Sequence, residues 1–225
     1  MNRIAAIVAL VAASPLLALA AAAIWLSSRG PVLFKAERVG RDGVTYRMYK
    51  LRTMHVAGKP TPTITASNDP RVFAVGRFLR RLKIDELPQF YNVLRGEMAF
   101  VGPRPEDPRI VAEHYSPEMR RALSVLPGLT SPATLDYFAD ERALPTVPHE
   151  AEVHYVRSIL PRKLALELVY VENRSARYDL EIVLRTILAI LGLENAFRER
   201  QAWERAAAEQ TLARMRRPDL VGQTR

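Results

Sequence analysis

The pattern of apolar and polar positions divides the 225-residue chain into an apolar N-terminal segment, a mixed central region and a basic C-terminal end. Residues Ile4 to Leu26 carry no charge, and a straight helix of that length would reach about 35 Å, enough to cross a bilayer core. Ser14-Pro15 lies near the middle, where a proline usually kinks a helix. The segment therefore predicts a spanning helix, a re-entrant helix bent at Ser14-Pro15, or a signal peptide cleaved near Ala18-Leu19-Ala20.

Basic residues flank this apolar segment on both sides. Arg3 precedes it, and seven more arginines and lysines lie between its end and Arg52. Such a density of positive charge close behind an apolar segment resists translocation, which argues against secretion and favours a cytoplasmic position for the rest of the chain. The residues alone support a re-entrant helix and a singly spanning helix equally.

The central region alternates between strand-like and helix-like patterns. Val32 to Met54 predicts a β-hairpin, because two runs of β-forming residues flank the turn-forming sequence Gly40-Arg41-Asp42-Gly43. His55 to Pro70 predicts a proline-containing loop, and Arg71 to Leu82 predicts a short helix. Thr134 to Phe138 predicts a short strand or turn.

Three helical patterns follow towards the C-terminus. Pro161 to Ser175 predicts a helix with proline at its start. Tyr178 to Leu191 is apolar around much of its helical circumference, and it predicts either a core helix or a helix lying in a membrane interface. Asn195 to Arg217 predicts a basic helix, which would suit an anionic leaflet as well as it suits a solvated tail.

Composition narrows the range of partners and cofactors. The formal net charge is +9, which implies an anionic partner such as nucleic acid, an anionic membrane surface or a phosphorylated substrate. The absence of cysteine excludes a disulfide framework and thiolate metal sites. The four histidines lack the spacing of helical zinc motifs, so a zinc site built from histidine is not predicted.

The stretch from Arg80 to Glu106 places two carboxylates, Asp85 and Glu86, in a dense basic region. It also holds Arg104 on the rigid turn Gly102-Pro103-Arg104-Pro105. Cations that bind an anionic substrate, beside a carboxylate that attacks it or binds a metal, suit chemistry on a phosphate ester. Taken singly, each piece has a simpler interpretation: Asp85 as the N-cap of a helix, and the basic residues upstream of it as a solvated face.

The complete string of motifs is more specific than its pieces. Its central part consists of Arg80-Arg81, Asp85 to Gln89, Asn92 to Met98 and Val101 to Glu106. The other parts are Gly30 to Val32, Glu37 to Gly40, Tyr49 to Met54, Asp69 to Arg71, Val75 to Arg80, Pro127 to Thr130 and Asp179 to Ile182. In composition and order this string resembles the bacterial sugar transferases, the monotopic phosphoglycosyl transferases that act on polyprenyl phosphate. The resemblance covers about residues 2 to 193.

The resemblance implies an α+β, membrane-associated monotopic fold with an N-terminal re-entrant helix, a β-hairpin, and several short and interfacial helices. Ser14 and Pro15 fall on the family's membrane helix break, which favours the re-entrant form over the spanning one. We accordingly divide the chain into a re-entrant membrane helix (1–30), a catalytic phosphoglycosyl transferase domain (31–193) and a basic helical C-terminal tail (194–225). The expected location is the cytoplasmic face of the inner membrane.

The resemblance also implies a reaction and a set of site residues. The family transfers sugar-1-phosphate from a UDP-sugar to undecaprenyl phosphate, releases UMP and thereby initiates a bacterial surface glycan. Asp85 takes the position of the nucleophile that forms a covalent aspartyl-phosphosugar intermediate, and Glu86 that of its partner carboxylate. Mg²⁺ is the implied cofactor, with Asp85 as its ligand. The positions associated with binding the substrate phosphates are Lys50, Arg80 and Arg104.

Two alternatives to this reaction stay open on the sequence. One is the same transfer by a ternary-complex mechanism, with Asp85 only as a metal ligand. The other is a non-enzymatic, membrane-anchored binder of anionic lipid or nucleic acid, which leaves unexplained why two carboxylates lie among the cations. We therefore expect no nucleic-acid partner. The transferred sugar and homo-oligomer formation are left open, and Lys83 stands where the family commonly has Ser or Thr.

Overall fold

The computed structural model describes residues 2–56, 69–140, 145, 147–193 and 198–215. Within these residues the chain forms ten α-helices and four short strands, joined by single turns of 3-10 helix and, before α8, one turn of π-helix (Tyr155–Ile159). The elements are α1 (Asn2–Ser27), β1 (Leu33–Val39), β2 (Thr45–Leu51), α2 (Ala74–Arg81), α3 (Gln89–Arg95), β3 (Ala99–Val101), α4 (Pro108–His114), α5 (Pro117–Arg120), β4 (Gly128–Thr130), α6 (Pro132–Asp140), α7 (Pro148–His154), α8 (Leu160–Asn173), α9 (Ala176–Ile190) and α10 (Arg198–Met215).

The helix-rich architecture with one antiparallel hairpin agrees with the predicted α+β class at that level. In the hairpin, Leu33 pairs with Leu51 and Val39 pairs with Thr45 on either side of the predicted turn. The predicted strand or turn at residues 134–138 is wrong, because that segment belongs to α6. The helix forms because the Ser131 hydroxyl accepts a hydrogen bond from the Thr134 backbone N–H at 3.0 Å, which caps the first turn. The predicted loop at 55–70 lies largely outside the described residues.

Helix α1 contacts the rest of the protein at both of its ends. Near its start, Ala6 packs with Val93 and Met98, and near its end Ile24 packs with Leu51 and Phe73. Side chains in the middle are mostly exposed although they are apolar; they include Ile7, Val8, Val11, Leu16 and Leu19. The helix is long and apolar enough to cross a membrane by length and composition, and its uncovered middle is an apolar surface without a protein partner among the described residues.

The predicted bend in α1 stays a prediction. The helical assignment runs from Asn2 to Ser27 and includes Pro15. Ser14 donates from its hydroxyl to the Val11 carbonyl at 2.8 Å, a local side-chain contact that often accompanies bent helices.

The chain that leaves α1 is attached to the hairpin by a buried arginine. Arg52, which directly follows β2, donates from Nη1 to the Ser28 hydroxyl at 2.8 Å and from Nη2 to the Ser28 carbonyl at 2.5 Å. Its Nε donates to the Pro31 carbonyl at 2.5 Å. A helix C-terminus leaves carbonyl groups without helical partners, and here a guanidinium supplies donors to the backbone just beyond the helix. The position of α1 is thereby fixed relative to β2.

A parallel pairing of β3 and β4 positions the proline-bracketed turn at residues 102–105. Val101 pairs with Thr130, and the Gly128 backbone N–H donates to the Pro103 carbonyl at 3.0 Å. A Cβ atom added at Gly128 would lie 2.1 Å from the Gly102 nitrogen. Only glycine fits at this approach of two backbones, so the turn lies directly against the segment that leads into β4.

Helix α8 is the most buried helix of the described structure, and it shares apolar clusters with α4, α6 and α10. Its Leu164 and Leu168 belong, with Ile110 of α4, to one apolar cluster. Its Ala165 belongs, with Ala208 of α10, to a second cluster.

Helix α10 is also held by a buried ion pair. Arg185 of α9 donates to both carboxylate oxygens of Glu204 at 2.6 and 2.7 Å, and Tyr178 adds a hydrogen bond at 2.6 Å. Its described residues therefore dock on α8 and α9.

The domain boundaries at residues 30 and 193 stay predictions.

The close approach of α2 to the residues after β2 generates a stability prediction. A Cβ atom at Gly76 would lie 2.2 Å from the Thr53 carbonyl oxygen, so Gly76→Ala must push α2 away from Thr53. We expect a loss of about 2 kcal/mol or more in the free energy of unfolding, as for other overpacked sites. Gly43→Ala is the control: its φ of +79° costs about 1 kcal/mol, but an added Cβ meets no atom within 4 Å. Thermal unfolding of both variants in detergent measures this, and equal losses would contradict the steric argument.

Candidate active site

Asp85 and Glu86 lie on a single turn of 3-10 helix, Ile84–Glu86, immediately before α3. Lys83 precedes this turn in a left-handed conformation, with φ 55° and ψ 21°. The capping positions of the turn and of α3 are Lys83 and Pro88, and neither helix is capped by a side chain. The simpler interpretation of Asp85 as a helix N-cap is therefore wrong, and the burial of this carboxylate needs another explanation.

Glu86 is bound by two cations that come from distant parts of the chain. Lys50 of β2 contacts Oε1 with its Nζ at 3.1 Å. Arg104, on the proline-bracketed turn, donates from Nη2 to Oε1 at 2.6 Å and from Nη1 to Oε2 at 3.2 Å. Burial alone would raise the pKa of Glu86, but the charges of Arg104 and Lys50 outweigh it and hold the pKa well below its usual range. Glu86 is therefore ionised at neutral pH, and both of its oxygens have partners.

Asp85 stands in the opposite electrostatic situation although it is the adjacent residue. It is 6% exposed, and its Oδ1 atom has no hydrogen-bond partner among the described residues. Burial raises its pKa, the negative charge of Glu86 raises it further, and the nearby cations Lys50, Arg80 and Lys83 oppose the shift. Adjacent carboxylates whose environments push their pKa values apart are typical of sites with divided chemical roles. Of the two, Asp85 is the carboxylate with a buried oxygen that has no hydrogen-bond partner among the described residues.

The structure also separates the basic residues upstream of the carboxylates. Arg80 is half-buried and donates from Nε to the Thr53 hydroxyl at 2.8 Å. Arg81 is exposed, as the solvated-face interpretation expects. Of the predicted site residues, the structure brings Lys50, Arg80, Asp85, Glu86 and Arg104 together, while Ser14 and Pro15 lie in α1.

A second set of polar residues, not predicted from the sequence, holds the turn that carries Arg104. Glu167 of α8 accepts hydrogen bonds at Oε1 from the Arg104 backbone N–H at 3.0 Å and from the Ser131 hydroxyl at 2.8 Å. Lys163, one helical turn earlier, donates to Glu106 at 3.0 Å, and the Tyr155 hydroxyl also hydrogen-bonds to Glu106.

One sequence signal could have identified part of this set. Lys163 and Glu167 are spaced i, i+4 and are surrounded by apolar residues in a predicted helix. Charged residues within an otherwise buried helix face require polar partners.

Comparisons with known proteins decide the family. The family model of bacterial sugar transferases matches residues 1–192. The chain belongs to this family. The matched region agrees with the extent of the motifs described above, and it includes the two carboxylates, the cations around them and α8.

Relatives of this sugar transferase carry names that refer to polyprenyl phosphate or polysaccharide. A UDP-glucose:undecaprenyl-phosphate glucose-1-phosphate transferase of Caulobacter vibrioides is 39% identical over 188 residues, which cover 82% of this chain and 66% of that protein. An undecaprenyl-phosphate glucose phosphotransferase of Komagataeibacter xylinus is 37% identical over 201 residues, covering 86% and 35%. The exopolysaccharide production protein ExoY of Sinorhizobium fredii is 35% identical over 203 residues, covering 82% and 81%. The chain thus spans about a third of one of these relatives and most of another.

The donor groups of this sugar transferase suit a divalent cation only if the phosphates of the substrate supply further ligands. The described residues contain no cluster of three or more Asp, Glu or His side chains that could hold a metal ion. Mg²⁺, however, is commonly bound by one or two carboxylates together with substrate phosphates and water. Asp85 has a buried oxygen to offer, whereas both Glu86 oxygens are occupied by cations. The residues therefore fit Mg²⁺ bound to Asp85 and substrate, and this assignment stays a prediction.

The buried carboxyl group of Glu167 predicts a pH-dependent stability. Burial raises its pKa to about 7, whereas an unfolded chain would titrate it near ~4.3. Between these values the folded state binds more protons than the unfolded state, so this group lowers the free energy of unfolding as pH rises from about 4.5 to 7. Glu167→Gln removes the titration. The unfolding free energy of the variant relative to the wild type should rise by about 2–4 kcal/mol across that range.

Denaturant unfolding of both proteins in detergent, between about pH 4.5 and 8, measures this difference. Glu204→Gln provides the comparison, since it neutralises another buried carboxylate that is paired with Arg185. A constant difference between Glu167→Gln and the wild type at every pH would show that Glu167 does not titrate in this range.

Proposed function

We propose that this sugar transferase moves sugar-1-phosphate from a UDP-sugar to undecaprenyl phosphate, releases UMP and initiates a bacterial surface glycan. The observation that carries the proposal is the buried Oδ1 of Asp85, which has no hydrogen-bond partner among the described residues and lies beside a carboxylate that two cations keep ionised. The donor and acceptor come from the name of the Caulobacter vibrioides relative, a UDP-glucose:undecaprenyl-phosphate glucose-1-phosphate transferase. The identity of the sugar is left to experiment.

The proposed chemistry is two displacements at one phosphorus atom. In the first, a carboxylate oxygen of Asp85 forms a bond to the phosphorus that bears the sugar, and the bond from that phosphorus to the UMP oxygen breaks, with the electron pair leaving on UMP. In the second, an oxygen of undecaprenyl phosphate attacks the same phosphorus, and the bond to the Asp85 oxygen breaks. The carboxylate is regenerated, and the product is a sugar joined to the lipid through a diphosphate. Splitting one difficult displacement into two is the usual advantage of covalent catalysis.

Positive charge makes the attack of one anion on another feasible. Arg80 and Arg104 are the side chains that we assign to the donor's phosphate oxygens, since planar guanidinium groups match such oxygens well. Mg²⁺, when bound at Asp85 and the diphosphate, would neutralise charge on the phosphates and the leaving group. Lys50 completes the positive surroundings of the two carboxylates.

The role that we assign to Glu86, orienting the cations around it, agrees with its low pKa. A carboxylate whose pKa lies well below its usual range is a weak base at neutral pH. Its two cationic partners approach from β2 and from the proline-bracketed turn, which are remote in sequence. Glu86 therefore orients Lys50 and Arg104 in this proposal, and Asp85 carries out the covalent step.

A lipid acceptor requires a site at the membrane surface, and the exposed apolar residues support such a position. Helix α9 buries Tyr178 and Ile182. Its opposite face exposes large apolar side chains at Leu180, Leu184, Ile187 and Leu191. Together with the uncovered middle of α1, this face suits an amphipathic helix lying in the headgroup region. We infer a monotopic protein at the cytoplasmic face, with α1 re-entrant and bent near Ser14 and Pro15.

Replacing the nucleophile is the direct test of the proposed mechanism. Asp85→Asn keeps the side-chain volume but removes the anionic oxygen, so we expect the rate of UMP release to fall at least ~10³-fold while the unfolding transition is retained. The assay combines purified protein, undecaprenyl phosphate, Mg²⁺ and a panel of UDP-sugars. Arg81→Ala removes an exposed cation outside the site, and it should keep wild-type activity.

Labelling separates the covalent mechanism from its alternatives. With UDP-sugar radiolabelled in the sugar phosphate and no acceptor, the wild type should become labelled and release UMP, and Asp85→Asn should do neither. Turnover without labelling, and without exchange of UMP into UDP-sugar, would instead favour a ternary complex. Absence of UMP release with every UDP-sugar tested would leave the non-enzymatic binder as the better explanation.

The re-entrant arrangement of α1 predicts that both of its ends face the cytoplasm. Because the chain contains no cysteine, single cysteines at Asn2 and Arg29 can be labelled without background. In intact cells a membrane-impermeant maleimide should reach neither position, whereas both should react after the inner membrane is opened. Labelling of the Asn2 position in intact cells would show a spanning helix, and an N-terminus processed near Ala20 would show a signal peptide.

A further inference from the structure

Glu167 is a buried carboxylate for which the proposed chemistry has no use. It lies on α8 and is 1% exposed. Its Oε1 atom accepts two hydrogen bonds, whereas its Oε2 atom has no partner among the described residues. Burying a carboxylate without full compensation is destabilising. The presence of Glu167 at this buried position therefore calls for an explanation in its polar partners.

The partners of Glu167 lie in the two loops that meet beside the candidate active site. One is the backbone N–H of Arg104, at 3.0 Å, and the other is the hydroxyl of Ser131, at 2.8 Å. Ser131 itself caps α6 through the Thr134 N–H. One carboxylate oxygen thus joins α8, the turn that carries Arg104 and the segment that follows β4.

Backbone donors are scarce within the turn itself. Pro103 and Pro105 have no backbone N–H, so the Arg104 amide is the single backbone donor between Gly102 and Glu106. The Gly102 N–H donates to the Thr130 carbonyl at 3.1 Å, and the Pro103 carbonyl accepts from Gly128. Without Glu167 the Arg104 amide would be left without this acceptor, which costs free energy for a buried donor.

We propose that Glu167 is a positioning residue, which fixes the Arg104 backbone so that its guanidinium meets Glu86 and the donor's diphosphate. The Arg104 guanidinium depends on this geometry because its two contacts with Glu86 are directional, at 2.6 and 3.2 Å. A displacement of about 1 Å at a substrate-orienting group can reduce the rate on the order of 10²-fold. The part of this inference that concerns the diphosphate rests on the proposed function, whereas the part that concerns the Arg104 backbone does not.

Hydrogen exchange tests the backbone part without requiring activity. In the wild type the Arg104 amide should be protected, since Glu167 accepts its hydrogen bond and the site is buried. Glu167→Leu should lose that protection, and Glu167→Gln should keep most of it, because its amide oxygen can still accept. Glu204→Gln should leave it unchanged even though it disturbs a buried ion pair between α9 and α10. Equal protection of Arg104 in Glu167→Leu and the wild type would overturn the inference.

A double-mutant cycle tests whether Glu167 acts through Arg104. Glu167→Leu should lower kcat/KM for the UDP-sugar by about 10–100-fold, and Glu167→Gln should recover most of that loss. In an Arg104→Ala background Glu167→Leu should have little further effect, because the group that it positions is already missing.

Full additivity of the two losses would refute the positioning role. Glu204→Gln controls for a general loss of stability, and it should leave kcat/KM close to the wild-type value. If wild-type protein releases no UMP with any donor, the proposed function fails, and hydrogen exchange alone decides the position of Arg104.

Discussion

The ion pairs that bind Glu86 constrain the positions of three separate parts of the chain. Lys50 comes from β2, Glu86 from the 3-10 turn, and Arg104 from the turn after β3. Both cations contact the Glu86 carboxylate at distances of 3.2 Å or less. None of these groups would tolerate burial singly, because an unpaired buried charge is costly. Three features of the fold position the members of this cluster. They are the register of the hairpin, the glycines at which two backbones approach closely, and the buried face of α8.

The cluster makes two adjacent carboxylates chemically different. Glu86 has a cation at each oxygen, and its pKa is held far below that of Asp85, whose own pKa is raised by burial and by the charge of Glu86. Adjacent positions on a 3-10 turn point in directions about 120° apart, so one side chain reaches the cations while the other keeps an oxygen without a hydrogen-bond partner among the described residues. A single local backbone geometry is therefore enough to separate a carboxylate that organises charge from one that can react.

The sequence predicts those parts of the structure that depend on local patterns or on motifs. The hairpin around Gly40 to Gly43 follows from alternation and turn residues, α8 follows from the proline at its start, and α9 follows from its run of apolar residues. The motifs identify Lys50, Asp85, Glu86 and Arg104 as candidate site residues. The contacts among these side chains depend on tertiary packing.

Other features depend on interactions that no short pattern contains. Arg80 and Arg81 are adjacent arginines, and only the docking of α2 on Thr53 makes one half-buried and the other exposed. Glu167 lies 63 positions along the chain from Arg104, whose backbone N–H donates a hydrogen bond to it. The prediction of a short strand or turn at residues 134–138 is wrong because the helix there begins at a cap, Ser131, that belongs to the predicted loop before it.

The strand β2 and the residues that follow it connect α1 to the candidate active site. Lys50 binds Glu86, and Arg52, two residues later, binds the backbone at the end of α1. Two residues of extended chain span about 7 Å, so the end of α1 cannot move far from the carboxylates without breaking buried hydrogen bonds. In the proposed reaction the donor arrives from water while the acceptor phosphate stays at the membrane surface. A membrane helix rigidly attached beside the carboxylates would fix the depth of Asp85 relative to that surface, which a freely hinged anchor would not do.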